Sequence, residues 1–491
     1  MTSPRYLLVL DQGSTSSRAV LYTRAGRIAY LARTPLPSLI PGPDRVEHDP
    51  NLLLGSQLAA LRRALTWLGK DGAKQIAAMG MTNQRSTFLL WDRRTGRPVG
   101  RAISWQDRSG AAICREMARR GPMIQARTGL RLTPHSTVGK LSQLMRHRPD
   151  IRKKAKAGDL LFGTVNTYLI WKLTGGAVHA TDHTNASRTL MMSLSTREWD
   201  PALLELFDIP SALLPPIRPT AALYGEALVG RRAIPIFSSI GDQQASLIGQ
   251  GGYRPGHLAL TYGTGGFALW NIGKRPQSRT RLLSTIAWSS ADTMHYALEG
   301  TVNSVGSAIL WLKQLGWIRE PAEIDALCRA SRQEVSAIPS LSGLGSPHYA
   351  PVETAFFGLN RQTTRADLVR GVMTGIAMLM KDNYEQMCRE RHGRPRTISA
   401  GGGAAQSRWL LQCQADLLRK EIALSNLYET TSRGAAYLAG LACGFWENFD
   451  ELDRLTRPAT RYRPKLSTRE VKQAEQRWQR ALELARMWTT H

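Results

Sequence analysis

The chain has 491 residues, enough for two or more domains with large cores. Its 42% hydrophobic and 21% charged content is that of an ordinary water-soluble globular protein, and no apolar run approaches membrane-spanning length. The 65 basic residues outnumber 38 acidic ones, for a net charge of +27. They are spread out, with only short runs such as Arg152-Lys153-Lys154-Ala155-Lys156, and neither zinc-finger spacing nor an aromatic-basic RNA-binding strand accompanies them. The expectation is a solvated basic surface that attracts anions, with no specific nucleic-acid partner and no membrane insertion. Five scattered cysteines, Cys114, Cys328, Cys388, Cys413 and Cys443, lack CxxC spacing. With no leader-like N-terminus, they point to a reduced, cytoplasmic setting.

The first predicted elements are two apolar strands around a polar turn, Leu7 to Tyr22. The turn holds Asp11, Gly13, Ser14, Thr15, Ser16 and Arg18. A backbone reversing at glycine aims N–H groups and hydroxyls at one spot, which suits a phosphate. A carboxylate at the strand end suits a hydrated Mg²⁺ riding on that phosphate. Leu52 to Leu68 reads as a helix, with Asp49 or Asn51 as N-cap and Pro50 in its first turn. Gln75 to Met81 reads as a strand delivering Thr82 to Arg85 at its C-terminal end, where ligand groups gather in α/β sheets. The prolines at 210, 215 and 216 mark a connector. The apolar run Ile234 to Ile240 leads to Asp242. Gly249, Gly251, Gly252, Pro255 and Gly256 mark a boundary, giving domains of residues 1–249 and 250–491.

His257 to Asn271 repeats the strand–turn–strand pattern half a chain later, now with Thr264 and Gly265 in the turn. Two such hairpins suggest two like-folded halves with a nucleotide between them. A third cluster, Gly401-Gly402-Gly403-Ala404, lies between the strand-like Arg396-Thr397-Ile398 and the helical Trp409 to Leu418. Ser467 to Trp488 reads as a charged amphipathic helix packed on the second domain.

In this order and spacing the motifs resemble the FGGY carbohydrate kinase family, and within it the branch that phosphorylates glycerol. The resemblance runs through Val46-Glu47-His48-Asp49-Pro50, Thr82-Asn83-Gln84-Arg85, Thr181 to Thr189, Gly241-Asp242-Gln243-Gln244, Tyr296-Ala297-Leu298-Glu299-Gly300 and Gly434 to Leu441. It implies an α/β fold of two ribonuclease-H-like domains, as in actin and hexokinase, around a nucleotide cleft. It implies ATP as phosphoryl donor, Mg²⁺, and a terminal hydroxyl of a small polyol as acceptor. Glycerol is the leading acceptor. Another polyol or a ketose is the alternative, and a non-catalytic nucleotide- or nucleic-acid-binding member is the remaining one. Family members often form homodimers or homotetramers.

Residue by residue, the resemblance makes Asp242 the catalytic base and Asp11 the metal anchor. It places Ser14, Thr15, Ser16, Arg18, Thr264 and Gly265 on the phosphates, and Gly306, Gly402, Gly403 and Ala404 along the nucleotide. It places Arg85, Ser86, Trp105, His135, Asp242 and Gln243 around the acceptor. Four departures stand out. Ser86 replaces a glutamate of the glycerol branch and His135 a tyrosine, so the acceptor pocket is expected to be roomier and less negative. Gly401 replaces an aspartate, as in the family's sugar kinases. The loop Val229 to Pro235 is shorter than one that binds fructose 1,6-bisphosphate in the glycerol branch, so that regulatory site is expected to be lost.

Overall fold

The structure is a computed structural model that describes residues 4–229, 232–278, 280–458 and 460–489. Gly230 and Arg231, on which the shortened regulatory loop rests, lie outside the described residues. Among the described residues no helix is long and apolar enough to cross a membrane.

The first sheet grows from β1 (Tyr6–Gln12), whose Leu7, Leu8, Val9 and Leu10 are buried on both faces, as an uninterrupted apolar run requires. Strands β2 (Ser16–Thr23) and β3 (Ile28–Pro35) follow it antiparallel. The helix α1 (Pro50–Leu68) packs across them, and the Asp49 carboxylate caps it by accepting from the Asn51 N–H at 2.9 Å. Strands β4 (Ile76–Asn83) and β5 (Arg232–Gly241) join β1 in parallel, so the order is β5-β4-β1-β2-β3, with Glu226–Val229 outside β5. The register sets Gln12, Asn83 and Gly241 side by side. The three parallel strands therefore deliver Asp11, Arg85 and Asp242 to one edge. A separate sheet of five short strands carries the strand that follows Ser86 and the one that precedes Trp105.

After α2 (Asp242–Gly249) the pattern repeats. Strands β6 (His257–Tyr262), β7 (Gly266–Gly273), β8 (Met294–Val302), β9 (Thr397–Gly401) and β10 (Ile422–Leu424) stand in the order β8-β7-β6-β9-β10. This is the first sheet's order, so the expected pair of like-folded α/β halves is present. Helices α3 (Gly306–Gln314), α4 (Arg365–Arg391) and α5 (Arg408–Leu418) cover one face of the second sheet; Leu258, Leu260, Ile398 and Ala400 share their core. The C-terminal helix α8 (Thr468–Thr489) follows α6 (Thr430–Ala442) and α7 (Phe449–Leu455). It buries Val471, Trp478 and Leu482, and the Trp478 indole donates to the Asp382 carboxylate at 2.9 Å.

Helices α2 and α6 lie between the two sheets. One core contains Leu7, Val9 and Val20 from the first sheet, Ala259, Leu269 and Ala297 from the second, and Leu247, Ala435 and Ala436 from the helices. The helices touch backbone to backbone. A Cβ on Gly434 would stand 1.8 Å from the Ala245 carbonyl oxygen, and one on Gly249 1.9 Å from that of Thr430. Gly434→Ala gains about 1 kcal/mol of helix propensity. The forced separation of α2 from α6 outweighs it, with a net loss of about 1–3 kcal/mol or more. Thermal denaturation should show a clearly lower Tm; an unchanged or higher one would refute the close crossing.

Candidate active site

The first turn closes through the Gly13 N–H, which donates to the Ser16 carbonyl at 3.0 Å. Asp11 and Arg18 face each other across β1 and β2, and the guanidinium reaches the carboxylate at 3.2 Å. The same guanidinium nitrogen holds Glu429, just before α6, at 2.9 Å. Burial pushes the Asp11 carboxyl up to about 6 against the pull of Arg18; nearby Glu429 and Asp242 add to the rise. The Ser14 hydroxyl donates to Gln84 at 3.2 Å and accepts from the Trp105 indole at 2.9 Å, which ties Trp105 to the first turn. Thr15 is exposed at the tip. Ser16 stands apart from the other hydroxyls of the turn. It is the buried first residue of β2, and its hydroxyl accepts from Arg33 Nε at 3.1 Å, so only its backbone belongs to the turn.

The second turn carries Thr264 and Gly265, closed by the Gly263 N–H donating to Gly265 at 2.9 Å. The start of α3 sits on it. The Gly306 N–H donates to the Gly263 carbonyl at 2.9 Å, and a Cβ on Gly306 would meet that oxygen at 2.7 Å. Gly402 has φ +95°, and a Cβ there would stand 2.6 Å from the Tyr262 carbonyl oxygen, so the third glycine cluster also lies against the second turn. Gly403 and Ala404 open the short 3₁₀ turn Gly403–Gln406 that leads into α5. Thr264, Gly265, Gly306 and Gly402 are thus brought together around Tyr262 and Gly263.

Arg85 is the hub of a second polar cluster. It grips Glu299 with two nitrogens at 2.6 and 3.1 Å, reaches Gln244 at 3.2 Å, and holds Asp242 through Nε at 3.3 Å. The Phe267 ring lies 5.7 Å from the guanidinium carbon. Glu299 is fully buried on β8, and Arg188 approaches it at 3.5 Å. An ion cluster therefore ties the two halves together. Burial works to raise the Glu299 pKa, but Arg188 and Arg85 outweigh it and hold the carboxyl below its usual range. Arg188 is pushed down to about 10, chiefly by burial. Asp242 opens α2 with its carboxyl raised by burial against the opposing charge of Arg85, and it accepts from the Gln243 N–H at 2.8 Å. The Gln243 side-chain oxygen is buried without a partner.

Ser86 stands at φ +66°, a left-handed conformation that few non-glycine residues adopt. Its hydroxyl donates to the Arg188 carbonyl at 3.3 Å, and its own carbonyl accepts from Thr137 at 3.0 Å. His135 lies near the backbone of Trp105 and Gln106; burial, with nearby Lys140 and Arg108, keeps its imidazole below its usual range.

Sequence reasoning assigned no role to Glu299, Glu429, Gln244 or Phe267. Glu299 carried a local signal, the one acid in its strand. Glu429 carried none.

The chain matches the N-terminal domain of the FGGY family of carbohydrate kinases over residues 6–249 and the C-terminal domain of that family over residues 258–443. It is 40% identical over 493 residues to a glycerol kinase of Burkholderia vietnamiensis, covering 99% of this chain and 98% of the relative. It is 41% identical over 504 residues to one of Bordetella parapertussis, covering 100% and 99%. The crystal structure of Plasmodium falciparum glycerol kinase with ADP superposes with a TM-score of 0.92 at 28% identity, covering 99% of each chain. The repeated halves, the paired glycine turns and the Arg85–Asp242 site thus meet a match over the whole length: this chain belongs to the FGGY family of carbohydrate kinases.

Proposed function

We propose that this ATP-dependent kinase transfers the γ-phosphoryl group to a terminal hydroxyl of a small polyol, glycerol first among them, with residues 1–249 and 250–491 as its two domains. The observation that carries the reading is Asp242, a half-buried carboxylate of raised proton affinity at the meeting of β5 and α2, oriented by Arg85. Phosphoryl transfer asks for a positioned hydroxyl, a proton acceptor and charge neutralisation. Asp242 takes the hydroxyl proton as the oxygen bonds to phosphorus. The bond from phosphorus to the β,γ-bridging oxygen breaks, and ADP leaves with that electron pair. Arg85 holds Asp242 in place, and Glu299 holds Arg85. Ser14, Thr15, Arg18, Thr264 and Gly265 meet the phosphates; Gly306, Gly402, Gly403 and Ala404 border the nucleoside. The glycerol kinase relatives support glycerol as acceptor.

The residues around Asp11 fit Mg²⁺. Asp11, Glu429 and Asp242 influence one another, and Arg18 is shared between the first two, so further positive charge is favourable there. Asp11 would hold the ion through water, and the ion would neutralise phosphate charge.

One observation favours a second acceptor class. The Ser86 hydroxyl is engaged by the Arg188 carbonyl, so that corner presents a small side chain and no carboxylate to an acceptor. An acceptor panel followed by ADP release decides: glycerol, dihydroxyacetone, erythritol, threitol, pentitols and ketopentoses. Glycerol with the highest kcat/KM upholds the first reading, a larger acceptor the second, and no acceptor-dependent ADP release overturns both. Ser86→Glu should shift preference toward glycerol by about 1–3 kcal/mol, because a carboxylate pairs with a glycerol hydroxyl and crowds a longer chain. An unchanged ratio of kcat/KM values would remove Ser86 as a determinant.

A further inference from the structure

A cavity of about 790 Å³ lies away from the turns that gather around Tyr262, on the α2/α6 side of the second sheet. Thr397, Ile398 and Ser399 of β9 line the cavity, whereas Ala400 lies in the core under α4 and α5, and none of Thr264, Gly265, Gly306 and Gly402 lines it. The cavity wall carries Arg254, Arg396, Lys420, Arg433, Arg457 and Arg461, and only two acids, Glu421 and Asp453. Both acids are engaged. Glu421 pairs with Arg461 and Arg463, and Asp453 with Arg254 and the Tyr253 hydroxyl. Among the described residues Arg396, Lys420, Arg433 and Arg457 have no ion-pair partner.

Arg433 is the telling member. It is 2% exposed, and its three hydrogen bonds go to neutral acceptors: the Gly249 carbonyl at 2.7 Å, Asn426 at 2.6 Å and the Ser425 hydroxyl at 2.7 Å. A buried guanidinium without a carboxylate is costly unless negative charge comes from elsewhere. The exposed cations at the mouth and the buried one in the wall make a graded positive well, and its volume is that of a small-molecule site.

We propose that this cavity is a second ligand site, for a small phosphorylated metabolite whose phosphate carries about two negative charges. Its walls lead to the active site on two routes. Arg433 bonds the carbonyl of Gly249, the last residue of α2, and the first residue of α2 is Asp242. Gln250, also in the wall, accepts from Ser399 at 2.9 Å and donates to Thr261 at 3.2 Å, three residues before Thr264 of the second turn. Occupancy of the cavity therefore bears on the base and on the second phosphate turn.

Inorganic pyrophosphate is the probe, titrated calorimetrically at constant ionic strength into full-length protein saturated with Mg²⁺ and a non-hydrolysable ATP analogue. The nucleotide turns are then occupied. The expected result is saturable binding of one equivalent at physiological salt. Arg396→Ala combined with Arg457→Ala, both exposed and outside the active site, should weaken it at least about tenfold while leaving Tm and basal turnover unchanged. Non-saturable heat, equal binding by the double variant, or the same response to sulfate added at equal ionic strength would overturn the proposal. Because the readout is binding, it stands or falls independently of which acceptor the enzyme uses.

Discussion

Asp242→Asn should abolish phosphoryl transfer while leaving ATP binding nearly intact. The amide keeps the shape of the side chain but cannot take the acceptor's proton, and base catalysis contributes about 10²–10⁴-fold. The fold should survive the change, because Arg85 keeps its two-nitrogen grip on Glu299 when Asp242 loses its charge. The pH profile adds a second signature. Burial raises the Asp242 pKa, and the base must be ionised to act, so activity is lost as pH falls through that raised value. The acid limb should lie above the roughly 3.9 of a free aspartate and vanish from the variant's residual rate. Turnover by ADP release and nucleotide affinity by calorimetry check both halves of the claim. A variant that keeps more than about a tenth of wild-type turnover when chemistry limits the rate would remove Asp242 from the base's role.

The parts of this molecule legible in its sequence are those whose signal is local. The paired hairpins show because each central strand is a continuous apolar run broken by a glycine turn. Helix α1 shows because Asp49 and Pro50 mark its start, and the C-terminal helix because its apolar stripe is periodic. Local reading reaches its limit at Ser16: in a row of hydroxyls, the first residue of β2 turns its side chain toward Arg33 on the neighbouring strand, and the row itself does not show which hydroxyl that is. Gly249 read as part of a boundary because glycines cluster there. Its contact with Thr430 lies far along the chain, so the crossing of α2 and α6 was invisible. The acids that complete the site, Glu299 on Arg85 and Glu429 on Arg18, arrive from the other half for the same reason. The basic cavity is the extreme case. Its cations span residues 254 to 461, and the sequence shows them only as part of a net charge of +27.

Glu299→Ala should be among the most destabilising single changes in the active site. Glu299 is fully buried and faces two guanidinium groups, Arg85 and Arg188. Truncation leaves Arg85 with Asp242 as its remaining carboxylate. It strands Arg188, whose Nε and Nη1 already lack partners. Removing one member of a buried ion cluster costs about 3–5 kcal/mol, because the charge left behind stays desolvated. Glu299→Gln should fall between, since it keeps the shape and one acceptor oxygen but not the charge. The acceptor KM should rise in both variants, because Arg85 and through it Asp242 lose their anchor. The pH dependence has a definite sign. The folded pKa of Glu299 lies below its ordinary 4.5, so its contribution to stability is fully present above that value and is lost as pH falls through the folded pKa. The stability gap between wild type and Glu299→Gln should therefore be constant near neutrality and narrow on acidification below about 4.5. Urea denaturation of both proteins across that range measures it. A Glu299→Ala variant within about 1 kcal/mol of wild type at neutral pH, or a gap that widens in acid, would show that the halves are not held together by this cluster.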